Sequence, residues 1–142
     1  MINTTDIEQA RKLIRKEAKP IIIQAQDLEF NRKILESGGF DILLSPEKYG
    51  YSRSTKKSNS GLNNVLAAIA SKNKISIGID LDEIRNLSKK EKAQRLAKIR
   101  VNLRICRKEK TPIKIVNYQD EISAKSLFQT LGASTEQLNK AF

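Results

Sequence analysis

Three carboxylates, Asp80, Asp82 and Glu83, fall within four positions directly after the apolar run Ile75 to Ile79. Oxygen ligands at that spacing are of the kind that bind Mg²⁺. The same residues also suit a helix start, where Asp80 or Asp82 stabilises the exposed N–H groups, and capping is the favoured reading. A small α/β enzyme working through Asp80 and Asp82 is the catalytic alternative. Other chemistry is narrowed by composition. The chain has no histidine, which removes histidine-dependent triads and most zinc sites. Cys106 is the sole cysteine, so neither an internal disulfide nor a multi-cysteine zinc site is available. Gly78 is the only glycine between Ile75 and Asp80, so no Gly-rich phosphate loop of the Walker or dinucleotide type is present there.

The strongest chemical signal is cationic. A formal net charge of +11 on 142 residues favours a polyanionic partner, with nucleic acid ahead of anionic lipid. No run approaches the roughly 20 apolar residues of a membrane-spanning helix. From Lys48 to Ile79 there are six basic residues and no acidic one. Lys48, Arg53, Lys56 and Lys57 lie in a Ser- and Gly-rich loop, Ser45 to Asn59, that also carries Tyr49 and Tyr51. Such a loop suits phosphate contact combined with stacking on an unpaired base; a solvated loop is the plain alternative. Ser60-Gly61 follows at an expected helix start, where backbone N–H groups could meet a phosphate, unless Ser60 is an ordinary N-cap.

Between Arg85 and Lys110 stand eleven basic and two acidic residues, a formal +9. Arg100, Arg104 and Arg107 recur at i, i+4 and i+7 along one helix flank, with Lys89 earlier on the same side. Like charges so placed repel one another, and a bound polyanion would neutralise them. Leu96, Ile99, Leu103 and Cys106 form the stripe expected to face a sheet, which makes Cys106 a packing residue. A second apolar stripe, Ala97, Val101 and Ile105, points elsewhere, either under a neighbouring helix or toward a partner protein.

The elements that must position these residues alternate. Thr5 with Glu8 resembles a capping box before a helix reaching about Lys19. Ile21 to Ile23 reads as a strand, and Asp27 caps a helix through Leu35 that stops at Gly38-Gly39. Phe40 to Leu44 is the second strand, Ser60 caps a helix to about Lys72, and Ile75 to Ile79 is the third strand. A short helix, Leu81 to Leu87, precedes a long one from Ser88 to about Lys110, and Pro112 to Val116 is the fourth strand. Asp120 to Leu131 and a last helix capped by Ser134 with Gln137 complete the chain. Strands separated by helices predict parallel pairing through right-handed crossovers. The expectation is one α/β domain over residues 1–142, an open four-stranded parallel sheet with flanking helices, far short of the roughly 250 residues of a closed barrel. The basic loop should then lie beyond the carboxyl ends of the strands, the usual ligand side. The polar N-terminus and single cysteine predict a reducing, cytoplasmic location.

Ile42-Leu43-Leu44-Ser45-Pro46-Glu47, Ser60-Gly61-Leu62-Asn63-Asn64-Val65-Leu66 and Ile75 to Leu81, together with Asn102 to Lys108 and Leu131-Gly132, resemble the p30-type protein subunit of ribonuclease P, the family of archaeal protein component 3, here in a short form. The likeness runs from about Ile21 to Phe142 and is most specific at Ser60 to Leu66. It implies a truncated TIM-like barrel of the polymerase-and-histidinol-phosphatase type without its metal site. It also implies a non-catalytic role in a ribonucleoprotein endonuclease that removes the 5′ leader of precursor tRNA. The implied partners are ribonuclease P RNA, protein component 2 and other subunits, with precursor tRNA contacted indirectly and assembly as a homodimer or heterotetramer. No cofactor is expected on this chain; Mg²⁺ is expected at the RNA. A generic basic RNA-binding or ribosome-associated α/β protein is the other binding reading.

Overall fold

Four short strands, β1 (Ile22–Gln24), β2 (Ile42–Leu44), β3 (Ser76–Asp80) and β4 (Ile113–Val116), lie side by side in sequence order and all run parallel. The computed structural model describes residues 1–49 and 60–142. In-register rows cross the sheet, for example Gln24, Leu44, Gly78 and Lys114. A sheet laid down in this order by right-handed crossovers carries its connecting helices on one face, as in part of a barrel wall. The expected open α/β sheet is thus present.

Helices α1 (Ile7–Ile14), α2 (Leu28–Ser37), α3 (Asn64–Lys72), α4 (Leu81–Arg85), α5 (Lys89–Glu109), α6 (Glu121–Thr130) and α7 (Thr135–Ala141) complete the fold. Asp27, Ser88 and Asp120 cap α2, α5 and α6 as their positions predict, and Ser134 with Gln137 forms the capping box of α7. Two caps differ. Asp6, not Thr5, accepts the first N–H groups of α1, which ends at Ile14 rather than near Lys19. Asn63, not Ser60, caps α3 through Leu66 N–H, because the intervening Gly61 and Leu62 turn the chain before the helix starts. The short turn of 3₁₀ helix at Pro46–Tyr49 has no counterpart in the helical periodicity of the sequence.

Alternate strand positions face opposite sides. Ile23, Leu43, Ile77, Ile79, Ile113 and Ile115 join the helix-side core with Phe30, Leu35, Leu66, Ile99, Leu103 and Phe128. Ile42 and Leu44 are buried on the other face, outside that core, where they close over Gly78; a Cβ there would come within 2.6 Å of Ile42 Cγ2. The outer side of β1 is met by Ile2, whose N–H and C=O bond Ile22 O and Gln24 N at 2.8 Å each. β4 is the other edge strand.

Gly61 explains the most specific sequence motif. Its φ of +77° lies in the left-handed region, and an added Cβ would sit 1.8 Å from the Pro46 carbonyl oxygen. Only glycine lets the segment before α3 cross the turn after β2. Gly61→Ala is expected to lower stability by about 2–4 kcal/mol through backbone strain and overpacking, measured by denaturant unfolding with an unchanged m-value.

Candidate nucleic-acid interface

Helix α5 carries the candidate site because its two faces are chemically opposite. Ile99, Leu103 and Cys106 are buried against the rest of the core, as their spacing predicts. Burial pushes the Cys106 thiol up to about 12, which suits a packing residue and not a nucleophile. On the outward side Lys89, Arg100, Arg104 and Arg107 are all exposed, so the predicted flank of like charge is solvent-facing. The second apolar stripe divides. Ala97 and Val101 are exposed, Val101 by 45%, whereas Ile105 is half-buried against the core and belongs to the packing between helices.

The pose of α5 is set by residues whose polarity hides their role. Arg95 and Asn102 are buried on the same face as Ile99 and Cys106. Arg95 Nη2 donates to Glu47 Oε1 at 3.1 Å, and Nη1 to Glu83 Oε1 at 3.2 Å. Glu47, in the 3₁₀ turn after β2, is completely buried. Burial raises its carboxyl above the usual range, against the opposing pull of the Arg95 guanidinium. Glu83, on α4, also meets Lys48 Nζ at 3.2 Å. Asn102 Nδ2 donates to the Ser60 carbonyl at 3.0 Å. Both ends of the basic segment 48–60 are therefore pinned to one side of α5.

Lys48 is consequently part of this ionic cluster as well as a candidate RNA contact. Ser60 is buried, and its hydroxyl donates to the Leu62 carbonyl at 3.1 Å rather than standing at a helix N-terminus. Arg53, Lys56 and Lys57, with Tyr51, lie outside the described residues. Asp80 and Glu83 have structural tasks, whereas Asp82 Oδ1 is buried without a hydrogen-bond partner among the described residues. Asp80 accepts from Glu83 N–H at the start of α4 and from Asn117 Nδ2, both at 3.0 Å, the capping role expected of it. Among the described residues no group of three or more His, Cys, Asp or Glu side chains could hold a metal ion, and no helix is long and apolar enough to cross a membrane.

Sequence inspection missed Arg95 and Glu47, although a signal was there. Arg95, Ile99, Asn102 and Cys106 repeat at helical spacing, so two polar residues interrupt an otherwise inward stripe. Removing one partner of a buried ion pair strands the other. Arg95→Ala is expected to cost about 3–5 kcal/mol, and a Glu47→Gln/Arg95→Met double variant to recover most of that loss. Urea unfolding of the three proteins measures both.

No family model matches the chain. It is 30% identical over 120 residues to ribonuclease P protein component 3 of Methanococcus vannielii, covering 84% of this chain and 49% of that protein. The same protein of Methanocaldococcus jannaschii is 30% identical over 117 residues, covering 80% of this chain and 47% of its own length. A chain in the cryo-EM structure of archaeal ribonuclease P with mature tRNA superposes with a TM-score of 0.79 at 26% identity, over 98% of this chain and 61% of that one. The chain spans about half the length of the curated relatives it matches. The motif before α3, the open parallel sheet and these similarities agree, and the chain is similar to archaeal ribonuclease P protein component 3 over most of its own length.

Proposed function

We propose that this chain is a non-catalytic protein subunit of ribonuclease P that binds and stabilises the catalytic RNA during 5′ maturation of precursor tRNA. The observation that carries this reading is the exposed row Arg100, Arg104 and Arg107 on a helix whose opposite face is firmly buried. Similarity to ribonuclease P protein component 3 directs that row to ribonuclease P RNA. Neutralising phosphates there lets RNA helices approach one another and lowers the demand for free Mg²⁺, which the RNA itself would hold at its catalytic site. Of the candidate carboxylates of this chain, Asp80 caps α4 and Glu83 pairs with Arg95 and Lys48.

Protein component 2 and other subunits are the expected protein partners. Ala97 and Val101 give α5 an apolar strip beside its arginines for such a contact, and the β4 edge offers backbone groups to a partner or to a second copy. Precursor tRNA is then reached indirectly, through the assembled RNA.

Charge reversal at Arg100, Arg104 and Arg107 tests the RNA reading. It is expected to weaken binding of the cognate ribonuclease P RNA and to lower the slope of log affinity against log salt by about 2–3 for three lost phosphate contacts. Retention of the wild-type slope would remove α5 from the RNA face.

A further inference from the structure

Two lysines occupy backbone positions at which glycine or asparagine is usual. Helices α3 and α5 each end in a left-handed turn. Lys74 has φ +58° and Lys110 φ +57°, and the following N–H groups, of Ile75 and Thr111, bond back to Ala70 O and Cys106 O at 2.8 and 2.9 Å. Glycine takes this conformation without the Cβ clash that a lysine must absorb. The two turns are also tied together. Ser71 Oγ donates to the Lys110 carbonyl at 3.1 Å, and buried Thr111 Oγ1 to the Ala67 carbonyl at 2.8 Å.

Both lysines line a groove of about 1100 Å³ at the amino ends of β3 and β4, bounded on its far side by the start of α7. Arg107 enters it from α5 and Lys140 from α7. Among the described residues Glu136 is its only acidic lining residue, and it pairs with Lys140 at 3.5 Å. Lys74, Arg107 and Lys110 are exposed and have no carboxylate partner among the described residues. Arg107 also ends the arginine row, so the positive surface passes from the side of α5 into the groove.

We infer that this groove is a second phosphate-binding site, which takes the sugar-phosphate backbone of an RNA strand lying along the arginine row of α5. The inference rests on the RNA-binding role proposed above and extends it to the end of the sheet opposite the basic loop. The competing explanation is that Lys74 and Lys110 merely offset the negative ends of α3 and α5. That explanation does not account for the placing of lysine where glycine would relieve the backbone.

The two explanations differ in sign when the lysines become glycine. A Lys74→Gly/Lys110→Gly full-length chain is expected to keep or raise its thermal midpoint. Its affinity for the cognate ribonuclease P RNA should fall about tenfold near physiological salt, with a salt slope lower by about 1.5–2. A lowered midpoint with unchanged RNA affinity would overturn the groove and assign the lysines to the helix ends. An Arg100→Gln/Arg104→Gln control separates the two claims. If it weakens binding while the glycine variant does not, the groove falls and the subunit reading stands. If neither variant changes binding, both fall.

Discussion

The ion pair between Glu47 and Arg95 is the constraint on which the candidate interface depends. Each charge leaves water at a cost of several kcal/mol, and each is kept only because the other is there. Arg95 lies on the inward face of α5, Glu47 on the turn after β2, and Glu83 joins them from α4. One guanidinium thus ties three elements that hydrophobic burial alone would leave free to slide. Its planar fork bonds two carboxylates in fixed directions, which lysine could not reproduce.

That constraint has a consequence for the surface. The arginines on the outside of α5 repel one another, and the rotation of the helix decides whether they form a row or scatter. With Arg95 and Asn102 held inside, the outward residues are Arg100, Arg104 and Arg107. Gly61 serves the same end. By letting the chain cross the Pro46 carbonyl, it brings Ser60 to Asn102 and fixes the second end of the basic loop. The Ser60 to Asn63 motif is therefore architectural, with Gly61 for the crossing and Asn63 for the cap.

Most of the fold was legible because burial and capping leave local marks. Phe40 to Leu44 and Pro112 to Val116 read as strands from short apolar runs, inside which the strands Ile42–Leu44 and Ile113–Val116 form, and Ser134 with Gln137 announced its helix through spacing alone. The errors arose where local rules compete. Thr5 and Asp6 are both good caps, and the chain uses the second. Ser60 looked like a cap, but the left-handed turn at Gly61 delays the helix to Asn64. The arginine row was visible because it stays in solvent, where helical spacing suffices. Arg95 and Glu47 were not, since their burial depends on a contact between residues 48 positions apart. The groove at Lys74 and Lys110 was hidden for a related reason: adjacent strand connections bring together two turns that lie far apart in sequence.

The most direct test of the central claim is precursor-tRNA cleavage by ribonuclease P reconstituted from the cognate RNA and its other protein subunits, with and without this chain, across a Mg²⁺ titration. A non-catalytic subunit that neutralises RNA phosphates predicts that omission shifts activity to higher Mg²⁺, with cleavage still at the mature 5′ end. Identical Mg²⁺ dependence in the two preparations would contradict it, as would cleavage of precursor tRNA by this chain alone.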